Sequence, residues 1–378
     1  MVAPAQIRGA ASKVPAFSTE VVVRHLVRRG LITCADVVNG MLSTKNVSRR
    51  NHVFAIIRDN GESYLLKQGI GRDRISTLER EALAYERFGV NPHVAQVGRY
   101  LPRSYGYEAK PHVLVVEFLR EGEDLRSYCT KHHRFPAGIA AELGRALAAF
   151  HRTDWSVGPR KRRLHSRPRP PWIFSQAPTN LRTFCNSSAG TIELLRLLQE
   201  FRDFRRHFGR LRGAWKAESF IHFDLRWDNC IVLPKANGKA DLKIVDWELA
   251  GRGDPRWDVG TIFSNFLSFW VGGIPVPGDS RPDLYLDSAE MPLERLQPAI
   301  RAFWASYARE ARVSRGESKA WLLRAVEYSA AHLVQTAVEQ MQGAADLSGG
   351  VACLLQLSLN ILQRPQKAAT QLLAIPLA

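Results

Sequence analysis

The sequence predicts an α+β protein of two lobes, with a small β-rich N-terminal lobe and a larger, mainly α C-terminal lobe. Three observations carry this expectation. Short β-forming runs cluster before residue 119, whereas helical periodicity dominates from Ala137 onward. A chain of 378 residues is too long for one small core and suits two. A polar loop, Phe220 to Asn229, sits between strand candidates and carries an unusual density of functional side chains. The expected division is a disordered tail over residues 1–17, an N-terminal lobe over 18–119 and a C-terminal lobe over 120–378.

The N-terminal elements follow in order. Val22, Val23, Leu26 and Val27 form a helical stripe over Thr19–Arg29, with Ser18 placed to cap it and Gly30 to end it. Three strands are expected at Asp36–Ser43, His52–Arg58 and Ser63–Gln68, the last two joined by the hairpin signal Asp59-Asn60-Gly61. Ser76-Thr77-Leu78-Glu79 has the form of a capping box opening a helix that runs to Phe88. Ser104–Tyr107 and His112–Phe118 complete the lobe, and Val113 to Val116 is apolar enough for a central, buried strand.

The C-terminal part reads as helices. Leu143, Ala146, Leu147 and Phe150 mark one, Ile192–Phe208 is read as a second, and Asp258–Val271, Leu293–Arg312, Lys319–Met341 and Val351–Leu362 follow. The longest uncharged stretch, Val259–Gly278, is broken by Ser264, Asn265, Gly272-Gly273 and Pro275, so it reads as a buried core helix and not a membrane span. A basic, proline-rich stretch from Pro159 to Trp172 has little helix or strand potential; it is a solvated loop or an electropositive rim for an anionic substrate.

Composition bounds the class. The hydrophobic fraction is 45%, ordinary for a globular protein, but the formal net charge is +17, which favours anionic ligands or partners. The five cysteines are scattered without a Cys-x-x-Cys pair, which argues against a disulfide framework and a zinc site and fits a cytoplasmic protein.

The chemistry concentrates in His222-Phe223-Asp224-Leu225-Arg226-Trp227-Asp228-Asn229 and in Ile244-Val245-Asp246. Phosphoryl transfer needs a carboxylate at the acceptor hydroxyl, oxygen ligands for magnesium and cations on the phosphates. Asp224, in a loop directly after a strand, suits the first role. Asn229 offers an amide oxygen, and Asp246 ends the second strand of an Asn237-Gly238 hairpin that returns it to the same edge. Lys67 suits the phosphates, oriented by a helix glutamate, for which Glu81 is the choice because Glu79 is assigned to the cap. Singly, each has a bland alternative as a turn, cap or solvated residue; their joint order carries the weight.

His222-Phe223-Asp224…Asn229, Ile244-Val245-Asp246-Trp247-Glu248 and Gly253-Asp254-Pro255-Arg256-Trp257-Asp258 resemble the aminoglycoside phosphotransferase and choline kinase family, over roughly Val37 to Met341. The resemblance implies the bilobal protein-kinase-like fold and an ATP- or GTP- and Mg2+-dependent phosphotransferase. It implies His222 and Asp224 as catalytic residues, Asn229 and Asp246 as metal ligands, and Lys67 with Glu81 as an ion pair. It also implies Val116, Glu117, Phe118 and Leu119 as the hinge that meets adenine, and Asp254 and Asp258 as structural braces. Ser48, Arg50 and Asn51 fall in the expected nucleotide loop, which has no glycine; its arginines supply charge to the phosphates or are surface residues. The family usually has glycine where Phe223 stands.

The acceptor stays open between a small molecule and a peptide Ser or Thr. A net charge of +17 is the wrong sign for a polycationic acceptor. Details such as Lys67-Gln68, Pro171-Trp172 and Arg226-Trp227-Asp228-Asn229 are similar to the branch of these enzymes found in ribosomal peptide modification, in which a basic groove would hold an acidic peptide segment. A catalytically inactive pseudokinase serving as a scaffold is the rival reading, prompted by Phe223 and the glycine-free loop. A nucleic-acid binder ranks last, because no binding motif with interleaved aromatics accompanies the charge.

Overall fold

The structure, a computed structural model, describes residues 15–48, 52–90, 95–153, 169–175, 187–235, 240–275 and 289–377. The chain divides into two compact units, one of residues 1–90 with 102–120 and one of residues 91–101 with 121–378.

The first unit is built on strands β1 (Leu42–Asn46), β2 (His52–Arg58), β3 (Tyr64–Gln68), β4 (Ser104–Glu108) and β5 (Val113–Glu117). They form one antiparallel sheet in the order β1-β2-β3-β5-β4. Side chains alternate across a strand, so Phe54, Ile56, Tyr64, Leu66, Val113 and Val115 share one face. There they bury against Val22 and Leu26 of helix α1 (Thr19–Arg28), whose first turn is capped by Ser18. The same alternation sends Lys67 to the opposite face, beside helix α3 (Arg72–Val90), which buries Leu78, Ala82, Tyr85 and Phe88.

Two sequence expectations fail in this unit. Asp36–Ser43 is not a strand: helix α2 (Cys34–Val38) occupies its first half, because Thr33 and Asp36 close a reciprocal capping box, and β1 starts only at Leu42. Ser76 does not open α3 either. The helix begins at Arg72 after Gly71, whose φ of +85° makes the left-handed turn into it. Thr77 instead donates its hydroxyl back to the Arg74 carbonyl, as a threonine inside a helix does.

In the second unit, α4 (Ala95–Gly98) and the residues after it belong with the C-terminal chain because Ile244 N donates to the Tyr100 carbonyl (2.7 Å) and Lys243 Nζ to that of Leu101 (2.9 Å). Helices α5 (Leu125–His132), α6 (Ala137–His151), α7 (Ala189–Glu200), α8 (Arg202–Gly213), α9 (Pro255–Gly272), α10 (Leu293–Glu310), α11 (Arg315–Gln340) and α12 (Gly349–Gln363) make up most of it. Ile192–Phe208 is therefore two helices. Phe201 lies in phase with Leu198 and Phe204, which makes the stripe look continuous, yet it is extended and half exposed and breaks the chain between them.

The central pair is α9 on α11, and α6 packs on α10 so closely that a Cβ at Gly144 would collide with the Phe303 carbonyl oxygen. Helix α9 is buried nearly all round, with Asp254 capping it and Pro255 in its first turn. Among the described residues, no helix is long and apolar enough to cross a membrane. Two small sheets, β6-β8-β9 and β7-β10, hang on this helical frame: β6 (Glu123–Asp124), β7 (Ser219–Ile221), β8 (Cys230–Pro234), β9 (Ala240–Ile244) and β10 (Gly251–Gly253).

Candidate active site

The loop from His222 to Asn229 leaves β7 and enters β8. Cys230 pairs with Ile244 across the β8–β9 hairpin, and Val245 N donates to the Asn229 carbonyl at 3.0 Å. Asn229 and Asp246 therefore emerge from the same end of one hairpin. Asn229 Nδ2 donates to the Asp224 carbonyl at 2.9 Å, which ties the asparagine to the loop and turns its amide oxygen the other way. The hairpin turn itself, Asn237-Gly238, lies outside the described residues.

His222 is buried, and both ring nitrogens are engaged with backbone. Nε2 lies 2.9 Å from the Val245 carbonyl and Nδ1 3.3 Å from the Asp224 amide. A carbonyl only accepts and an amide N–H only donates, so the ring is the neutral tautomer protonated on Nε2. His222, expected beside Asp224 as a catalytic residue, ties the loop to the hairpin through these two contacts.

Helix α9 holds the loop from below. The fully buried Asp258 accepts the His222 amide on Oδ2 (2.7 Å) and the Phe223 amide on Oδ1 (3.0 Å), and His151 Nε2 donates to Oδ2 at 3.2 Å. Trp257 Nε1 donates to the Phe223 carbonyl and Asn265 Nδ2 to that of Leu225. Asp254 caps the helix and receives the Tyr328 hydroxyl and the Arg256 guanidinium.

Two non-glycine residues at the site hold left-handed backbone, Phe223 at φ +69° and Asp246 at φ +65°. Each costs about 1–2 kcal/mol, a strain that surrounding contacts must hold and that gathers at functional positions. At Phe223 the backbone is one that glycine adopts freely and that a side chain strains.

Arg226 is the residue whose role the sequence reading missed. Its Nε lies 3.2 Å from Asp224 Oδ1 and its Nη1 3.6 Å from Glu339 Oε2. Burial alone would lower its pKa, but the carboxylates of Asp224, Glu339, Asp228 and Asp246 outweigh burial and raise it. The signal was present as a basic residue two positions after Asp224; its partner Glu339 is 113 residues away and invisible to spacing. A cavity of about 270 Å³ opens beside Asp224, walled by Arg226, Asp228, Asn265, Gln335 and Glu339.

In the first unit, Lys67 Nζ donates to both carboxylate oxygens of Glu81, at 2.8 and 3.0 Å, in a buried ion pair. The Val116 side chain is buried; the Glu117 and Phe118 amides donate within the unit, to the Arg103 and Ser63 carbonyls. Leu119 follows, just before the unit ends at Arg120. Ser48 Oγ accepts the Val53 amide at 2.9 Å and so closes the β1–β2 loop. Arg50, Asn51 and the basic run Arg160–Arg163 lie outside the described residues. Glu79 is not a cap: it accepts the Tyr107 hydroxyl at 3.4 Å.

No group of three or more His, Cys, Asp or Glu side chains among the described residues is arranged to hold a metal.

A β-sheet unit, a helical unit and a His-x-Asp-x-x-x-x-Asn loop are the parts of a kinase-type phosphotransferase, the class to which the family match assigns the chain. Residues 46–295, more than half of the chain, match the phosphotransferase enzyme family (APH), and the chain belongs to that family. Its fold is similar to that of a choline/ethanolamine kinase family protein from Mesorhizobium loti (16% identity, TM-score 0.50, covering 91% of this chain and 96% of that one). It is also similar to a choline kinase from Cryptosporidium parvum Iowa II (13% identity, TM-score 0.52, covering 94% and 97%). At these identities the likeness shows the fold. No curated protein matches the chain.

Proposed function

We propose that the protein transfers the terminal phosphoryl group of ATP (or GTP) to a hydroxyl of a small, polar acceptor, with Asp224 receiving the hydroxyl proton. The observation that carries this is the common origin of three groups: Asp224 on the loop, Asn229 bonded to the Asp224 carbonyl, and Asp246 at the same hairpin end. Asn229 and Asp246 would hold Mg2+, which when bound neutralises phosphate charge. The rest falls to the chain. Arg226 orients Asp224, His222 and Asp258 set the loop backbone, and Lys67, kept in place by Glu81, carries positive charge toward the nucleotide. Val116 to Leu119 serve as the adenine-facing segment, with Ser48, Arg50 and Asn51 in the phosphate loop.

The cavity beside Asp224 supports a polar acceptor of modest size, because its walls are carboxylates, guanidinium and side-chain amides. A peptide Ser or Thr is the second reading. The charge of +17 favours it, since a basic surface attracts an acidic peptide segment.

The test is a purified-enzyme assay of ADP release with small hydroxylated acceptors and Ser/Thr peptides. Asp224→Ala should bind ATP with unchanged affinity and lose turnover, and Asp246→Ala should lose Mg2+-dependent ATP binding. Undiminished phosphotransfer in Asp224→Ala would sink the assignment of the base.

A further inference from the structure

A second cavity, of about 580 Å³, lies in the helical unit and shares no lining residue with the one beside Asp224. Five basic side chains line it, Arg152, Lys216, Arg256, Arg312 and Arg324, against the acidic Glu218, Asp254 and Glu317. Several of these charges are already spent. Asp254 is fully buried and bonded to Arg256, and Lys216 reaches Glu218 only at 4.0 Å. Arg324 pairs through Nε with Glu327 at 3.6 Å, although its Nη1 is buried without an acceptor among the described residues, and the exposed Arg312 is in no ion pair with a described carboxylate. The cavity thus holds surplus guanidinium and ammonium groups next to an apolar wall of Pro255, Tyr307 and Trp321. Its size falls within the range of small-molecule sites, about 300–1,000 Å³.

We propose that this cavity binds a small phosphate monoester with an apolar body, and that occupancy is felt at the catalytic loop. Arginine forks match phosphate oxygens, and the aromatic wall takes the organic part. The connection to the loop is a continuous hydrogen-bond chain. The Tyr307 hydroxyl donates to His151 Nδ1 (2.9 Å), His151 Nε2 donates to Asp258, and Asp258 holds the His222 and Phe223 amides. Tyr307 and His151 line the cavity, so a ligand that moves either one acts on the backbone next to Asp224. This site shares no residue with those proposed for the nucleotide and the acceptor.

The experiment uses phenyl phosphate as the probe, titrated calorimetrically into the full chain, with phenol as the uncharged control. Wild type should bind phenyl phosphate and not phenol, and the binding should weaken as salt is raised. Lys216→Gln/Arg312→Gln, two exposed positions whose loss should leave thermal unfolding unchanged, should weaken binding at least tenfold. Lys45→Gln, at an exposed position of the other unit, should leave it intact. Hydrogen exchange in the peptide spanning Phe220–Asn229 should slow on ligand addition. Equal binding in the double variant would overturn the site, and unchanged exchange in that peptide would overturn its coupling to the loop.

Discussion

The Phe223 ring lies against Gly253: a Cβ added at Gly253 would stand 3.0 Å from Phe223 Cζ and would also collide with Ile221 Cδ1. Gly253 faces Ser219 across the β7–β10 pair, so the missing side chain leaves room for the ring one strand away. Trp215 covers it further, with ring centroids 6.1 Å apart. The packing of the aromatic ring thus offsets the left-handed backbone that Phe223 must hold.

Gly253→Val should therefore destabilise the protein by about 1–3 kcal/mol through overpacking. Combining it with Phe223→Gly should recover part of the loss, because only the Ile221 clash remains. Urea unfolding of the two single variants and the double variant measures the coupling. Strict additivity would show that the ring and Gly253 do not sense each other.

Lys67 and Glu81 form a buried pair, and removing one partner strands the other's charge. Lys67→Met should cost about 3–5 kcal/mol, the range for breaking such a pair. Lys67→Met/Glu81→Leu should regain most of that stability without regaining phosphotransfer. Stability and activity are thereby read separately. A double variant as unstable as the single one would mean that the pair is not the origin of the loss.

Arg226 fixes Asp224 through a contact of 3.2 Å. Arg226→Ala should lower kcat by about 10²-fold, the scale of a misplaced catalytic group, with a smaller change in KM. Arg226→Lys should restore only part, because an ammonium lacks the fork that spans Asp224 and Glu339. Steady-state kinetics decides it; an unchanged kcat in Arg226→Ala would exclude a positioning role.

His332 is buried on α11 with Nε2 near Thr261 Oγ1 (2.8 Å) and the Trp257 carbonyl (3.2 Å). Burial lowers its pKa to about 3, against the smaller opposing effects of the Trp257 carbonyl and Asp258. The folded state keeps this ring neutral where the unfolded chain, with a pKa of about 6.5, takes up a proton. Its contribution is fully present above pH ~6.5 and falls with pH down to about 3, by at most ~1.4 kcal/mol per unit. His332→Gln should flatten that part of the stability–pH curve. A curve of the same slope would assign the acid sensitivity to other groups.

Much of the first unit was legible because its signals are local. The hairpin at Asp59-Asn60-Gly61, the β-forming runs of β2 and β3 and the unbroken apolar run of β5 are properties of adjacent residues, and they recur in the structure. Where two local signals competed, the reading went wrong. The box at Thr33–Asp36 won over β propensity, and Gly71 won over Ser76. Phe201 shows the opposite failure, since a stripe of apolar residues cannot report a break that leaves its phase intact.

By itself, the sequence determined the two-part α+β character, the family motif and the residues proposed for its chemistry, because helix period, strand period and the His-x-Asp-x-x-x-x-Asn spacing are written in short stretches of chain. Only the tertiary structure decided what those residues touch. Asp258 reaches two amides 35 and 36 positions away, and His151 reaches Asp258 across 107. Glu339 comes to Arg226, and Gly253 makes room for Phe223. The tertiary structure also turned Phe223 from an atypical residue in a motif into one whose left-handed backbone is held by packing. Hydrogen bonds and packing act over ångströms, and distance along the chain carries no information about which distant groups the fold brings within that range.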